Sequence, residues 1–407
     1  MKRIIATLLA SGLWAAAALA AFAQEATFEI PPPETTAPAL ELSGNIDVAY
    51  SAMFNKSDSP IYRLSVFGKE AATVTSAYPL GMYLNGDYQN PNAGAHVKTR
   101  TVYTNDGTVD FSLIEAYGSF KLFDSSLVSV GKRIYAWGKG YAFNAVGYVN
   151  PVKNPEDVDA LSPGLLALNY SFTKSIQAGP LDNAAVEFFA IPPDLRTAEE
   201  TLDIRRTSYA LRLYMLFWDT DIDLMGYYDP YEAKHIGLDF SRNILSSLEL
   251  HGEAGYFIDK ERYTIVGASA AADRVDGFSY LIGLRWLSSW NMTAILEYYH
   301  DDAGLTADEF ADYAAYLKNA ADANTSTAVS QALQTRRNYF SSPRLMKDYA
   351  YLKVSMPEPF GLVDFSPAVF AIYNINDMSA LVGLSAGFKP FTNFELNLSA
   401  SIPIGEP

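Results

Sequence analysis

The chain of 407 residues contains no cysteine. Disulfides, thiolate metal sites, haem attached through Cys-x-x-Cys-His and a lipid anchor on a processed cysteine are therefore excluded. Histidine is almost as scarce, and none of the four residues has the spacing His-x-x-x-His or His-Glu-x-x-His that gathers metal ligands; they are His96, His235, His251 and His300. The sequence thus predicts no metal site and no cofactor, so stability has to come from packing and backbone pairing.

Positive charge and long apolar runs are also in short supply. Thirty lysines and arginines stand against 46 aspartates and glutamates, which gives a formal net charge of −16. Such a negative chain is a poor partner for nucleic-acid phosphates, and we expect no nucleic-acid binding. After the first 23 residues no apolar run reaches the roughly 18 residues that a membrane-spanning helix needs.

The first residues have the pattern of an export signal. Lys2 and Arg3 precede an apolar run over 4–20, and Ala-Phe-Ala follows, which predicts a signal peptide over 1–23. Residues 24–39 carry four prolines and few apolar groups, and they are expected to form an extended periplasmic linker.

From residue 40 onward apolar and polar side chains alternate in runs of about 9 to 12 residues, the length of a tilted strand that crosses a bilayer. Alternation alone does not separate a membrane barrel from a β-sandwich. Export, aromatic residues near the strand ends, chain length and an alternating last segment over 394–404 favour the barrel. We expect an all-β fold over 40–407, a transmembrane antiparallel β-barrel of about 16 strands, with a range of roughly 14–18.

Two segments interrupt the alternation. Residues 303–346 predict a long helical loop, because Thr306 and Glu309 have the spacing of a capping box and apolar residues recur at helical intervals after them. Residues 138–165 form a loop rich in glycine and proline that follows a predicted strand over 127–137. Each loop is expected either to shield the rim or to fold into the lumen.

The second of these loops is not a phosphate-binding loop, since neither Lys132 nor Lys139 is followed by the serine or threonine of a Walker motif. The stretch YAWGKGYAFNAVGYVNPVKNPEDVDALSPG, residues 135–164, instead resembles a segment of porin-like outer-membrane proteins of Gram-negative bacteria, with Trp-Gly, then Asn-Pro and an acidic stretch. The resemblance implies a location in the cell outer membrane, with membrane lipids and small solutes as partners; homo-oligomer formation is left open.

Charged residues of this loop and of the strands are candidates for the lining of a pore. We expect a constriction in which Arg133 and Lys139 face an acidic group across the channel, and opposed charges of this kind select among solutes. The acidic group is Glu156, Asp157 and Asp159. Further pore-lining candidates are Tyr135, Glu115, Lys121, Arg212, Arg285, Glu297 and Lys353. The alternative is a rim loop that anchors the neighbouring strands through Trp137 and the tyrosines.

The leading functional hypothesis is a passive channel for small hydrophilic solutes, and not an enzyme. One alternative is a non-conducting scaffold or adhesin, or a sheath barrel around a partner protein. An outer-membrane hydrolase is less favoured. Ser247 and His251 are four residues apart, which along one strand is about 13 Å and too far for proton transfer.

Overall fold

The computed structural model describes residues 39–158, 160–193, 204–231 and 233–405. The predicted signal peptide, the predicted linker except Ala39, and Asp159 lie outside the described residues. Among the residues described, no helix is both long and apolar enough to span a membrane.

The described chain consists mostly of strands. Their bounds are β1 Ala39–Val48, β2 Ser51–Phe54, β3 Val74–Ala77, β4 Leu80–Gln89, β5 Ala93–Tyr103, β6 Val109–Phe123, β7 Ser126–Arg133, β8 Leu165–Ala178, β9 Leu181–Ile191, β10 Ser208–Phe217, β11 Thr220–Tyr228, β12 Lys234–Leu245, β13 Leu248–Val266, β14 Ser269–Leu287, β15 Thr293–Asp301, β16 Asp348–Ser355, β17 Phe365–Asn374, β18 Ala380–Phe391 and β19 Phe394–Ile404. The helices are α1 Pro60–Ser65, α2 Ala307–Ala323 and α3 Ser326–Tyr339.

Seventeen of these strands form one antiparallel sheet. β1 pairs with β4, and from β4 each strand pairs with the next one along the chain as far as β19. The two remaining strands, β2 and β3, pair with each other as a separate hairpin. The all-β antiparallel prediction is confirmed. The strand number falls within the expected range but is odd, whereas an even number was expected.

The sheet has one apolar and one polar face, and β14 illustrates the division. Phe278, Ile282, Leu284 and Trp286 are exposed and lie on the apolar face, and Leu284 pairs on that face with Leu250 and Leu296. Arg285 lies on the opposite, polar face, because successive side chains of a strand alternate between faces. An exposed apolar face fits contact with lipid chains, and the polar face fits contact with water.

The two ends of the sheet differ in the length of their connections. One end, the long-loop end, holds the connections 49–79, 134–164 and 302–347. The other, the short-turn end, holds tight turns such as 124–125 and 179–180. Outer-membrane barrels have the same asymmetry, with long loops outside the cell and short turns in the periplasm.

The connection 302–347 is the helical insert, and the predicted helical loop is confirmed within it. The Thr306 side chain accepts from the Glu309 backbone N–H and the Glu309 side chain accepts from the Thr306 N–H, so the predicted capping box is present. Glu309 also binds Arg262 of β13, and Asp322 is 2.6 Å from Arg63 of α1. These contacts hold the insert against the long-loop end of the sheet.

Candidate functional site

The β7–β8 loop, residues 134–164, begins earlier than predicted. β7 ends at Arg133 rather than at residue 137. The Ile134 N–H donates to Glu115 Oε1 at 2.8 Å, and the Ile114 carbonyl accepts from the Gly164 N–H at 2.9 Å. Both backbone groups that would have extended the pairing of β6 with β7 therefore have other partners, and the chain leaves the sheet.

The first part of this loop, residues 134–150, is largely buried, although it has no regular secondary structure. Trp137, Phe143 and Val146 are at most 1% exposed. The Trp137 ring meets the Phe189 ring of β9 edge-on at 5.4 Å, and the Phe143 ring lies 5.2 Å from that of Tyr299 on β15. A buried irregular segment has to find partners for its backbone groups, because unpaired ones are costly.

Glu253 of β13 supplies the first set of partners. Its Oε1 accepts from the backbone N–H groups of Lys139 and Gly140 at 2.7 and 2.6 Å. Its Oε2 accepts from those of Ala145 and Val146 at 2.5 and 3.2 Å. One carboxylate, 3% exposed as a residue, thus satisfies four backbone donors.

Glu297 of β15 supplies the second set. Its Oε1 accepts from the Tyr141 N–H, and its Oε2 from the N–H groups of Ala142 and Phe143 at 2.9 and 3.3 Å. His251 Nε2 lies 3.1 Å from Glu297 Oε1 and orients the carboxylate. Glu253 and Glu297, with these seven donors, form what we call the glutamate clamp. Charged acceptors of this kind make stronger bonds than neutral ones.

Glycines make the clamp sterically feasible. Gly138 has φ +88°, and a Cβ there would lie 2.6 Å from Glu253 Oε1. A Cβ on Gly140 would lie 2.7 Å from Leu281 Cδ1. The Gly-Lys-Gly sequence therefore serves close backbone approach to a carboxylate and not to a phosphate.

Internal bonds fix the shape of the loop. The Trp137 carbonyl accepts from the side-chain amides of Asn144 and Asn150 at 2.5 and 2.6 Å, and Asn150 Oδ1 accepts from the Trp137 N–H at 2.7 Å. Lys153 Nζ donates to the Gly140 carbonyl. Burial lowers the pKa of Lys153, and the neighbouring glutamates of the clamp oppose that effect.

Lys139 has different charge partners from those predicted. Its Nζ lies 3.1 Å from Asp223 Oδ2 and 3.8 Å from Asp239 Oδ1. Asp223 also binds Arg212 Nε at 2.8 Å, and Arg212 reaches Glu187 at 3.2 Å. The glutamate clamp explains these partners. It binds the backbone of Lys139 to Glu253, and because Glu253 is paired in register with Asp239, the Lys139 side chain lies near Asp239.

Two of the three acidic residues predicted to face Lys139, Glu156 and Asp157, lie elsewhere. Glu156 and Asp157 are exposed, and Glu156 lines a cleft next to the helical insert. Arg133 lies over the rings of Tyr117 and Tyr135, at 4.9 and 5.6 Å from the guanidinium carbon. Neither acid is within ion-pair distance of Arg133 or Lys139 among the described residues.

The remaining candidates lie on the polar face or at the short-turn end. Arg285 is 3.5 Å from Glu249 and lies over the ring of Tyr141. Ile295 of β15 pairs in register with Arg285 on one side and with Lys353 on the other, so Lys353 shares the polar face with Arg285. Lys121 is exposed and lies 3.2 Å from Asp124 in a short turn.

Sequence reasoning missed Asp223, Asp239 and Glu253. A signal for them was available, because each occupies the polar-face position of an alternating strand. Within the described residues there is no group of three or more histidine, aspartate or glutamate side chains suited to a metal ion.

No protein-family model matches the chain, and no curated protein sequence matches it. Among solved structures it is similar to OccK8 (OprE) of Pseudomonas aeruginosa, with a TM-score of 0.51 and 9% identity, covering 90% of this chain and 94% of that one. OccK2 (OpdF) of the same organism, solved with glucuronate, gives a TM-score of 0.48 and 10% identity over 90% and 92% of the two chains. Wzi of Escherichia coli, described as a carbohydrate-binding β-barrel involved in capsule assembly, gives 0.49 and 10% over 80% and 74%.

The similarity to OccK8 is one of fold. Together with the antiparallel sheet of 17 strands, this similarity confirms the porin-like fold predicted from the sequence. The chain has the fold of the porin-like outer-membrane β-barrels.

Proposed function

We propose that the protein lies in the outer membrane and forms a passive channel for small hydrophilic solutes, narrowed by the β7–β8 loop. The glutamate clamp is the observation that carries the proposal. Glu253 and Glu297 are on the polar face of the sheet, which in a barrel of this class surrounds the lumen. A loop bound to them through seven backbone donors narrows the passage, as inward loops do in a pore.

The same loop argues against a sheath around a partner protein. A sheath requires a lumen free of inward loops, whereas here Trp137 and Phe143 pack against wall residues of β9 and β15. The exposed apolar face supports the membrane location, because soluble proteins rarely expose contiguous apolar patches of this extent.

Charge selection follows from the cluster around Lys139. The interaction energy between one unit charge and an ion roughly 8 Å away in water is about 0.5 kcal/mol. Lys139→Gln leaves Asp223 and Asp239 without this cation, and the loss acts with opposite sign on potassium and on chloride. We therefore expect the ratio of potassium to chloride permeability to rise by up to about five-fold. Reversal potentials in a salt gradient across a planar bilayer measure this ratio.

Lys121→Gln is the matched control. It removes the same charge beside Asp124 in an exposed turn, where salt screens charges over about 8 Å. We expect a smaller shift than for Lys139→Gln. An equal shift for both variants, or none for Lys139→Gln in a conducting protein, would show that the loop does not line the narrow part of the channel.

A further inference from the structure

A cleft of about 460 Å³ lies at the long-loop end, outside the glutamate clamp. It is bounded by the helical insert, by the acidic part of the β7–β8 loop and by the connection between β17 and β18. Phe310, Leu345 and Ile372 give it apolar walls. Four charged residues also line it, the cations Arg344 and Lys56 and the anions Glu156 and Asp377.

The guanidinium of Arg344 lacks an anionic partner. Its carbon lies 4.9 Å from the ring centre of Tyr299 and 5.9 Å from that of Phe143. Nη1 is buried and has no hydrogen-bond partner among the described residues. No carboxylate of the described chain lies within ion-pair distance of it, although the chain has 46 acidic residues. A buried polar group without a partner calls for an explanation, because most are satisfied.

We propose that this cleft binds a small monocarboxylate with a short apolar body, and that Arg344 receives its carboxylate. A guanidinium presents a planar fork of donors that matches a carboxylate. The apolar walls suit a hydrocarbon body, and the volume is within the usual range of small-molecule sites.

Glu156 narrows the class of ligand. It lines the same cleft and, among the described residues, has no ion pair that would neutralise it. Its negative charge disfavours the binding of dicarboxylates and phosphate, which carry a second negative charge. A single carboxylate bound to Arg344 lies away from Glu156. The site goes beyond the proposed channel function and does not depend on it, because binding can be measured whether or not the protein conducts.

The test is a calorimetric titration of the full chain in detergent with hexanoate, and with hexanamide as the neutral match of the same size. We expect heat of binding from hexanoate and none from hexanamide. Arg344→Gln should weaken hexanoate binding by about ten-fold or more, since hydrogen bonds to charged groups are the stronger ones. Arg344→Lys should weaken it less.

Glu156→Gln separates ligand binding from a purely structural role of Arg344. Removing the negative charge should tighten hexanoate binding by about two-fold, by the same Coulomb argument as for Lys139. The Glu156→Gln experiment remains valid even if Arg344→Gln fails to fold. Whether Arg344→Gln folds is checked by its migration on an unheated detergent gel, which should be unchanged from that of the wild type. Equal binding of hexanoate and hexanamide, or undiminished binding to a folded Arg344→Gln variant, would overturn the proposal. A protein that binds hexanoate without conducting would contradict the channel and leave the site intact.

Discussion

Replacing Glu253 and Glu297 together by alanine is expected to raise the single-channel conductance several-fold. The change removes the carboxylate acceptors of seven backbone donors of the β7–β8 loop, of which the Val146 N–H keeps Asn144 Oδ1 at 3.0 Å as a second acceptor. A buried donor without a partner costs about 1–3 kcal/mol. We therefore expect the loop to leave its buried position, because its backbone donors can then bind water instead. Once it leaves the wall, the passage is wider. Single-channel recording in planar bilayers gives the measurement.

Glu187→Ala serves as the control for this experiment. Glu187 is also on the polar face, but it binds Arg212 and none of the loop's backbone donors. Arg212 keeps Asp223 as a partner in that variant, so the conductance should stay close to the original value. Unchanged conductance in the double variant, with a folded barrel, would mean that the aromatic contacts of Trp137 and Phe143 hold the loop without the clamp.

The second large effect concerns the apolar face. Leu284→Arg should reduce the free energy of unfolding by about 2–4 kcal/mol, the cost of an arginine facing lipid near the bilayer midplane. Leu284 is 38% exposed, between Leu250 and Leu296 of the neighbouring strands. Urea titration of the protein folded into lipid vesicles measures the change.

Arg285→Gln, at the next position, is the matched control. Arg285 lies on the polar face, its side chain is 46% exposed, and its ion pair with Glu249 is 3.5 Å long. Pairs of this kind contribute at most about 1 kcal/mol. Similar losses for the two variants would contradict the assignment of the faces.

Strands and the helical insert were predictable because their signals are local. Alternation in the segment around Leu284 defines the two faces of β14, and Thr306 with Glu309 marks the start of α2 within four residues. These patterns depend on neighbours in sequence, so the sequence alone was enough to predict them.

The site was only partly predictable. Glu297 was a candidate because it lies on a polar face, but its role as a backbone acceptor depends on the loop that meets it 154 to 156 residues earlier in the chain. Lys139 was assigned acidic residues of its own loop, whereas the sheet register brings Asp223 and Asp239 to it. Contacts set by the register of distant strands leave no local pattern to detect.

The central claim is a water-filled membrane channel, and its most direct test is single-channel recording of the purified wild-type protein in a planar bilayer. The sample is first shown to migrate differently on a detergent gel with and without heating, as folded barrels do. The account predicts stepwise conductance from this material. A folded barrel that gives no conductance steps would contradict it.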